Sequence, residues 1–103
     1  MNITITARKF KARDNLKEFI TGEVNSLEKY FDNILDADII LSYQNSHDSL
    51  KCAEIVVQVP GQTLTAKEES SEFTKSVTAA VEKLSRQLEK LKTKRTVRTK
   101  NEN

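Results

Sequence analysis

Apolar residues recur along this chain with two different periods, and the order in which the periods change restricts its fold more than any other feature. Residues 2–7 alternate, with Ile3, Ile5 and Ala7 on one side, the mark of a half-buried strand rich in β-branched residues. From residue 14 to 31 the period lengthens. Leu16, Phe19, Ile20, Val24, Leu27 and Phe31 follow i, i+3, i+4 spacing and predict an amphipathic helix. Alternation returns in 37–44 (Ala37, Ile39, Leu41, Tyr43), 52–59 (Ala53, Ile55, Val57, Val59) and 62–67 (Leu64, Ala66). A second helical stripe, Phe73, Val77, Ala80, Val81, Leu84, Leu88 and Leu91, follows a start near Ser70 and Ser71, where serine caps a helix well. The predicted order is βαβββα.

The connections fix how these elements pair. Pro60-Gly61 is a tight turn, Pro setting φ and Gly supplying φ > 0. Ser46-His47-Asp48-Ser49 reads as a polar hairpin loop. The last three strands therefore form an antiparallel meander. The first strand reaches the sheet through a helix and should lie parallel to its neighbour by a right-handed crossover. Each helix has one apolar face, and the strands mostly one. An α+β fold of a four-stranded mixed sheet with two helices packed on one face satisfies all of them. Asp14 and Glu18 suit the start of the first helix and Lys29 its last turn. Gly22 costs that helix up to ~1 kcal/mol against Ala. With two Gly and one Pro in 103 residues there is no flexible linker, and one domain is expected. Its α/β body should span residues 1–92, with 93–103 a basic, disordered tail.

Charge is unevenly sorted within this domain. Residues 83–103 hold eight basic and two acidic side chains, residues 30–82 three basic and nine acidic. Such a split suggests a charged partner. On the last helix Lys83, Arg86, Lys90 and Lys94 are spaced three, four and four, which stacks them along one edge about a third of a turn from the apolar stripe. Glu82 and Glu89 lie on the side of the wheel away from that stripe, so they do not neutralise the whole strip. A second cluster, Arg8, Lys9, Lys11 and Arg13, puts four cations and no acid into six residues before the first helix. It reads as a phosphate clamp near a helix N-terminus. Together these groups point to a polyanion, because phosphate contacts from Lys and Arg release condensed counterions.

Other chemistries lack their residues. His47 and Cys52 are the only members of their types, too few for a zinc site. Cys52 should point opposite to Ala53 and Ile55, away from any partner for nucleophilic catalysis. Gly22 and Gly61 cannot make a phosphate-cradling loop. Asp36 and Asp38 share a strand face but read as solvent charges. No enzyme, metal or cofactor is expected. A lone cysteine excludes an internal disulfide and favours a reducing cytoplasm. The longest aliphatic runs, Ile39-Ile40-Leu41 and Ile55-Val56-Val57, fall far short of the ~20 residues of a membrane span. Phe10, Phe19, Phe31 and Phe73 sit at or near apolar positions, and Tyr43 on a core face. No sheet of exposed aromatics for stacking bases is expected, which favours recognition of folded RNA by backbone and shape.

Three segments resemble one family. Leu27-Glu28-Lys29-Tyr30-Phe31-Asp32 resembles the L-E-K-Y-F-D segment of bacterial ribosome hibernation factors, which include the ribosome-associated translation inhibitor once described as a sigma-54 modulation protein. Glu82-Lys83-Leu84-Ser85-Arg86-Gln87-Leu88, followed by Lys90, Lys92 and Lys94, is similar to the family's second helix. Ile3-Thr4-Ile5-Thr6-Ala7-Arg8 looks like its I-T-G-R/K start, with Ala7 in place of Gly. The similarity covers about residues 2–94 and looks like the short form, without the long form's dimerisation domain.

The resemblance implies a fold similar to double-stranded-RNA-binding domains. It also implies docking on ribosomal RNA of the small ribosomal subunit, in the mRNA and tRNA channel, with inhibition of translation in stationary phase or under stress. Complexes with 70S ribosomes and ribosome dimers are implied for some members. Lys83, Arg86, Lys90 and Lys94 fall on the family's basic second-helix positions, Lys29 on a basic position of some members, and Arg8 on a frequent one after strand one. Glu23 and Ser26 depart from positions often basic, which shifts weight to Arg8, Lys9 and Lys11. The family's D-M/L-Y-A-A-I-D stretch appears only loosely, as Glu72-Phe73-Thr74-Lys75-Ser76-Val77-Thr78. The expectation is a cytoplasmic protein, monomeric off the ribosome, with no membrane and no small-molecule substrate. Two alternatives stand beside it: a general structured-RNA module, and a protein-docking domain that uses the basic last helix.

Overall fold

The structure, a computed structural model, describes the backbone of residues 1–44 and 50–102 and the side chains of 1–44 and 50–94. The loop 46–49 with His47, and the side chains of the tail cations Arg95, Arg98 and Lys100, lie outside the described residues. Strands β1 (Asn2–Ala7), β2 (Asp36–Tyr43), β3 (Lys51–Val59) and β4 (Gln62–Ser70) form one sheet in that order. β1 runs parallel to β2, while β2–β3 and β3–β4 are antiparallel. Helix α1 (Asp14–Asn25) bridges β1 to β2, and α2 (Phe73–Glu102) follows β4. The α+β fold and mixed sheet are as the periodicity predicts.

Register sorts the side chains. Ile3, Ile5 and Ala7 stand beside Ala37, Ile39 and Leu41, and these beside Val57, Ile55 and Ala53. Leu64 and Ala66 complete the row. All of these β2–β4 residues are buried, and the helices cover them with Ile20 and Val24 from α1, Leu27 from the short turn that follows it, and Val77, Ala80, Leu84 and Leu88 from α2. Burying one such aliphatic side chain contributes roughly 1.5–3 kcal/mol. Pro60-Gly61 makes the two-residue turn between β3 and β4, with Gly61 at φ 78°.

Several boundaries moved. The first α-helix stops at Asn25, and Ser26–Lys29 forms a 3-10 turn. The Ser26 hydroxyl donates to the Glu23 carbonyl, one local contact that competes with regular helix. Lys29 therefore closes a 3-10 turn and not an α-helix. β4 continues to Ser70, since Glu68, Glu69 and Ser70 pair with Ala53, Cys52 and Lys51. Ser70 is thus the last strand residue, and α2 starts at Phe73. The Ser70 hydroxyl still accepts from the Glu72 N–H at 3.2 Å. Buried Ser76 donates to the Lys51 carbonyl at 2.7 Å and pins the first turn of α2 to β3. Phe19 is 38% exposed and Tyr43 40%, although both fall on apolar periods.

α2 is helical to Glu102, without a break at residue 93. No Gly or Pro follows Gly61 to end the helix, and Lys94, Arg95, Arg98 and Lys100 are good helix formers among the weaker Thr93, Thr96, Val97, Thr99 and Asn101. Its 30 residues rise about 45 Å. Among the described residues Leu91 is the last side chain packed against the core.

Candidate nucleic-acid interface

The strip on α2 is built by the helix period. Leu84 and Leu88 are fully buried while Lys83, Arg86, Lys90 and Lys94 are exposed. The tertiary structure then divides the four. Lys83 pairs with Glu68 on β4, and Arg86 pairs with Glu82 one turn back on α2. Among the described residues Lys90 and Lys94 have no carboxylate partner. The Arg86–Glu82 pair is exposed on both sides and worth only about 0–1 kcal/mol, so a phosphate can displace its carboxylate, whereas Glu68 is half-buried beside Lys83. Gln87 donates to the Thr65 carbonyl at 3.3 Å, which sets this edge of α2 over β4. The other side of α2 meets α1, where the Thr78 hydroxyl donates to the Glu23 carboxylate at 3.0 Å. Glu23, which breaks the basic pattern of the first helix, thus ties the two helices together.

The second cluster sits elsewhere. The Arg8 N–H extends the β1–β2 ladder to the Leu41 carbonyl at 2.9 Å, which places the loop at the C-terminal end of β1 and β2. That is also the end where β4 leads into α2. Lys9 has φ 66°, a left-handed conformation that costs a non-glycine residue roughly 1–2 kcal/mol. Arg8, Lys9, Lys11 and Arg13 are all exposed. From Phe73, at this end, to Lys83 the helix rises about 15 Å, and to Lys94 about 32 Å. Lys29 closes the far end of the first helical segment, about 25 Å along it from Arg13. The eight predicted cations Arg8, Lys9, Lys11, Lys29, Lys83, Arg86, Lys90 and Lys94 are therefore not one compact patch. They border the helical side and one end of the sheet, a surface suited to an extended polyanion.

The opposite surface has the other sign. By register, Asp36, Asp38, Glu54 and Glu69 share the face of the sheet that no helix covers, with Lys67 the one cation among the described residues there. That face repels phosphate. Cys52 lies in it yet is buried, and burial pushes its thiol pKa up.

One feature of the fold was not expected from the sequence. Phe10 and Phe73 stack with centroids 5.0 Å apart, and Tyr43 stands steeply to both at 5.1 and 5.4 Å. Three separate elements supply this cluster, so no local period announces it. Tyr43 keeps the core face of β2 but lies at its end, where the helices no longer cover it. Tyr43 is the one aromatic within the strands, and it leaves a single ring partly exposed at the sheet's end.

Among the described residues no group of His, Cys, Asp and Glu could hold a metal ion. No described helix is long and apolar enough to cross a membrane.

Residues 3–96 match the family described as sigma 54 modulation protein / S30EA ribosomal protein. The chain is 30% identical over 95 residues to a ribosome hibernation promoting factor of Escherichia coli, covering 91% of this chain and 96% of that protein. It is 27% identical over 94 residues to a ribosome hibernation promotion factor of Bacillus subtilis, covering 91% of this chain but 50% of that longer protein. Among solved structures, a ribosomal subunit interface protein from Coxiella burnetii superposes with a TM-score of 0.81 at 27% identity, covering 90% of this chain and 99% of that one. The N-terminal domain of Thermus thermophilus Protein Y gives 0.78 at 26% identity, covering 88% and 99%.

Proposed function

The chain belongs to the sigma 54 modulation protein / S30EA ribosomal protein family, and from that premise we propose that it is a ribosome hibernation factor. It binds ribosomal RNA of the small subunit in the mRNA and tRNA channel and inhibits translation under stress or in stationary phase, in the cytoplasm and without enzymatic activity. The family match over residues 3–96 carries this reading, and the charge distribution supplies its mechanism. Residues 1–92 form the ribosome-binding body.

RNA meets the helical side and the β1–α1 loop, while the acidic open face of the sheet turns away from it. Lys90 and Lys94 make phosphate contacts without first losing a partner. Lys83 and Arg86 exchange Glu68 and Glu82 for phosphate. Arg8, Lys9 and Lys11 hold one end and Lys29 the tip of the first helical segment. Because few base edges are read, affinity depends on counterion release and on shape.

Cosedimentation with purified small subunits tests this reading, beside isolated hairpin RNA at the same salt. Retention by the subunit at concentrations where the hairpin is not retained is the expected result. Equal retention would favour a general structured-RNA module, and no retention would sink the proposal. Added protein should also slow translation in a cell-free system.

A further inference from the structure

We infer that the end of the molecule where the β1–α1 loop meets Tyr43 is a binding subsite for one unpaired RNA nucleotide. Its base lies against Tyr43 and Phe10, and its phosphate is held by Lys11 and Arg13. The inference rests on the RNA reading above and names which feature of the RNA this end takes.

A cavity of about 250 Å³ opens here, lined by Phe10, Lys11, Arg13, Asn15, Tyr43 and Phe73 among others. Its aromatic wall is braced from behind. Phe73 is 8% exposed and stacks on Phe10, so it supports the wall and adds little open area of its own. Tyr43, at 40% exposure, is the ring with free area. An exposed ring offers stacking to any base, because every base has a π-face. Only an unpaired base presents that face, since a base inside a duplex is covered by its neighbours in the stack.

The charges beside the ring point to a nucleotide and not to an apolar ligand. Lys11 and Arg13 are exposed and have no ion pair among the described residues. They also line an adjoining cavity of about 450 Å³ together with Ala12 and Asp14. Asp14 is the one carboxylate there, against two cations. Arg13 precedes the first turn of α1 and gives it no side-chain hydrogen bond. The Asn15 side chain takes the Leu16 N–H at 2.9 Å, and the remaining N–H groups of the turn add to the positive potential. Cations next to an open aromatic ring are the combination that single-stranded nucleic-acid sites use.

The test uses two RNA hairpins of identical stem, one with a single bulged 2-aminopurine and one with that residue paired. Wild-type protein should bind the bulged hairpin about tenfold more tightly and quench its fluorescence. Tyr43→Ser should abolish both the preference and the quench, with unchanged affinity for the paired stem and an unchanged circular dichroism spectrum. Tyr43→Phe should retain both, and Lys11→Gln with Arg13→Gln should lower the preference. Equal binding of the two hairpins by wild type, or a quench that survives Tyr43→Ser, overturns the subsite. Wild-type protein that sediments with small subunits yet treats the hairpins alike removes the subsite and leaves the ribosomal reading standing. Protein that prefers the bulge yet ignores the subunit does the reverse.

Discussion

Replacing Lys90 and Lys94 together by Gln should weaken RNA binding by more than an order of magnitude at low salt, in a way that fades as salt rises. Both side chains are exposed, and neither has a carboxylate partner among the described residues. Gln keeps the helix propensity and most of the stem, so stability should stay within about 0.5 kcal/mol of wild type. Each lost phosphate contact lowers the salt slope of log K by about 0.9. Two contacts then remove about 1.8 from the slope, or roughly 60-fold in affinity at about 0.1 M salt against a 1 M reference. At about 0.3 M the same deficit shrinks to roughly tenfold. Arg86→Gln should lose less than Lys90→Gln, because the bound state of wild type must first give up the Arg86–Glu82 pair. Glu82→Gln should gain, by up to about fivefold, since an exposed pair is worth at most about 1 kcal/mol. Cosedimentation with small subunits across a salt series reads all four variants. A deficit of the double variant that does not change with salt would refute the counterion mechanism. An Arg86→Gln deficit equal to that of Lys90→Gln would refute the division of the strip by its ion pairs.

Other outcomes follow from packing and backbone. Gly22→Ala should raise the thermal midpoint and add about 0.5–1 kcal/mol, because a Cβ there meets nothing within 4 Å. Gly61→Ala should lower stability by about 1 kcal/mol, since Gly61 holds φ 78°; chemical denaturation measures both. Ser76→Ala should cost about 1–3 kcal/mol by leaving the Lys51 carbonyl without its side-chain donor, again read by denaturation. The buried Cys52 thiol has its pKa raised by burial, so it should react with a thiol reagent much more slowly in native than in unfolded protein. The native state holds that proton more tightly than the unfolded one, so its contribution to stability is fully present below the ordinary thiol pKa and is lost as pH rises from there through the raised native one. Stability of wild type and Cys52→Ala across alkaline pH would show this as a steeper decline in wild type than in the variant.

The fold was legible because each of its determinants is local. Alternation in 37–44 and 52–59, the helical period in 73–91 and the Pro60-Gly61 turn each report on a few consecutive residues, and a one-residue slip would move a whole apolar row to water. The charge strip was legible for the same reason: spacing on a helix fixes which side chains share an edge. Long-range contacts decided the rest. Lys83 meets Glu68 only because α2 lies over β4, and nothing near Lys83 in sequence marks that carboxylate. Tyr43 obeys the strand period yet is exposed, since period sets the face while cover is set by where the helices end. Phe10, Tyr43 and Phe73 come together from a loop, a strand and a helix start through the register of β1 on β2. By itself the sequence determined the elements, their order and the sign of the surface. Tertiary structure alone decided which cations are free to take phosphate and which aromatic ring is left open, because pairing and cover depend on residues distant in the chain.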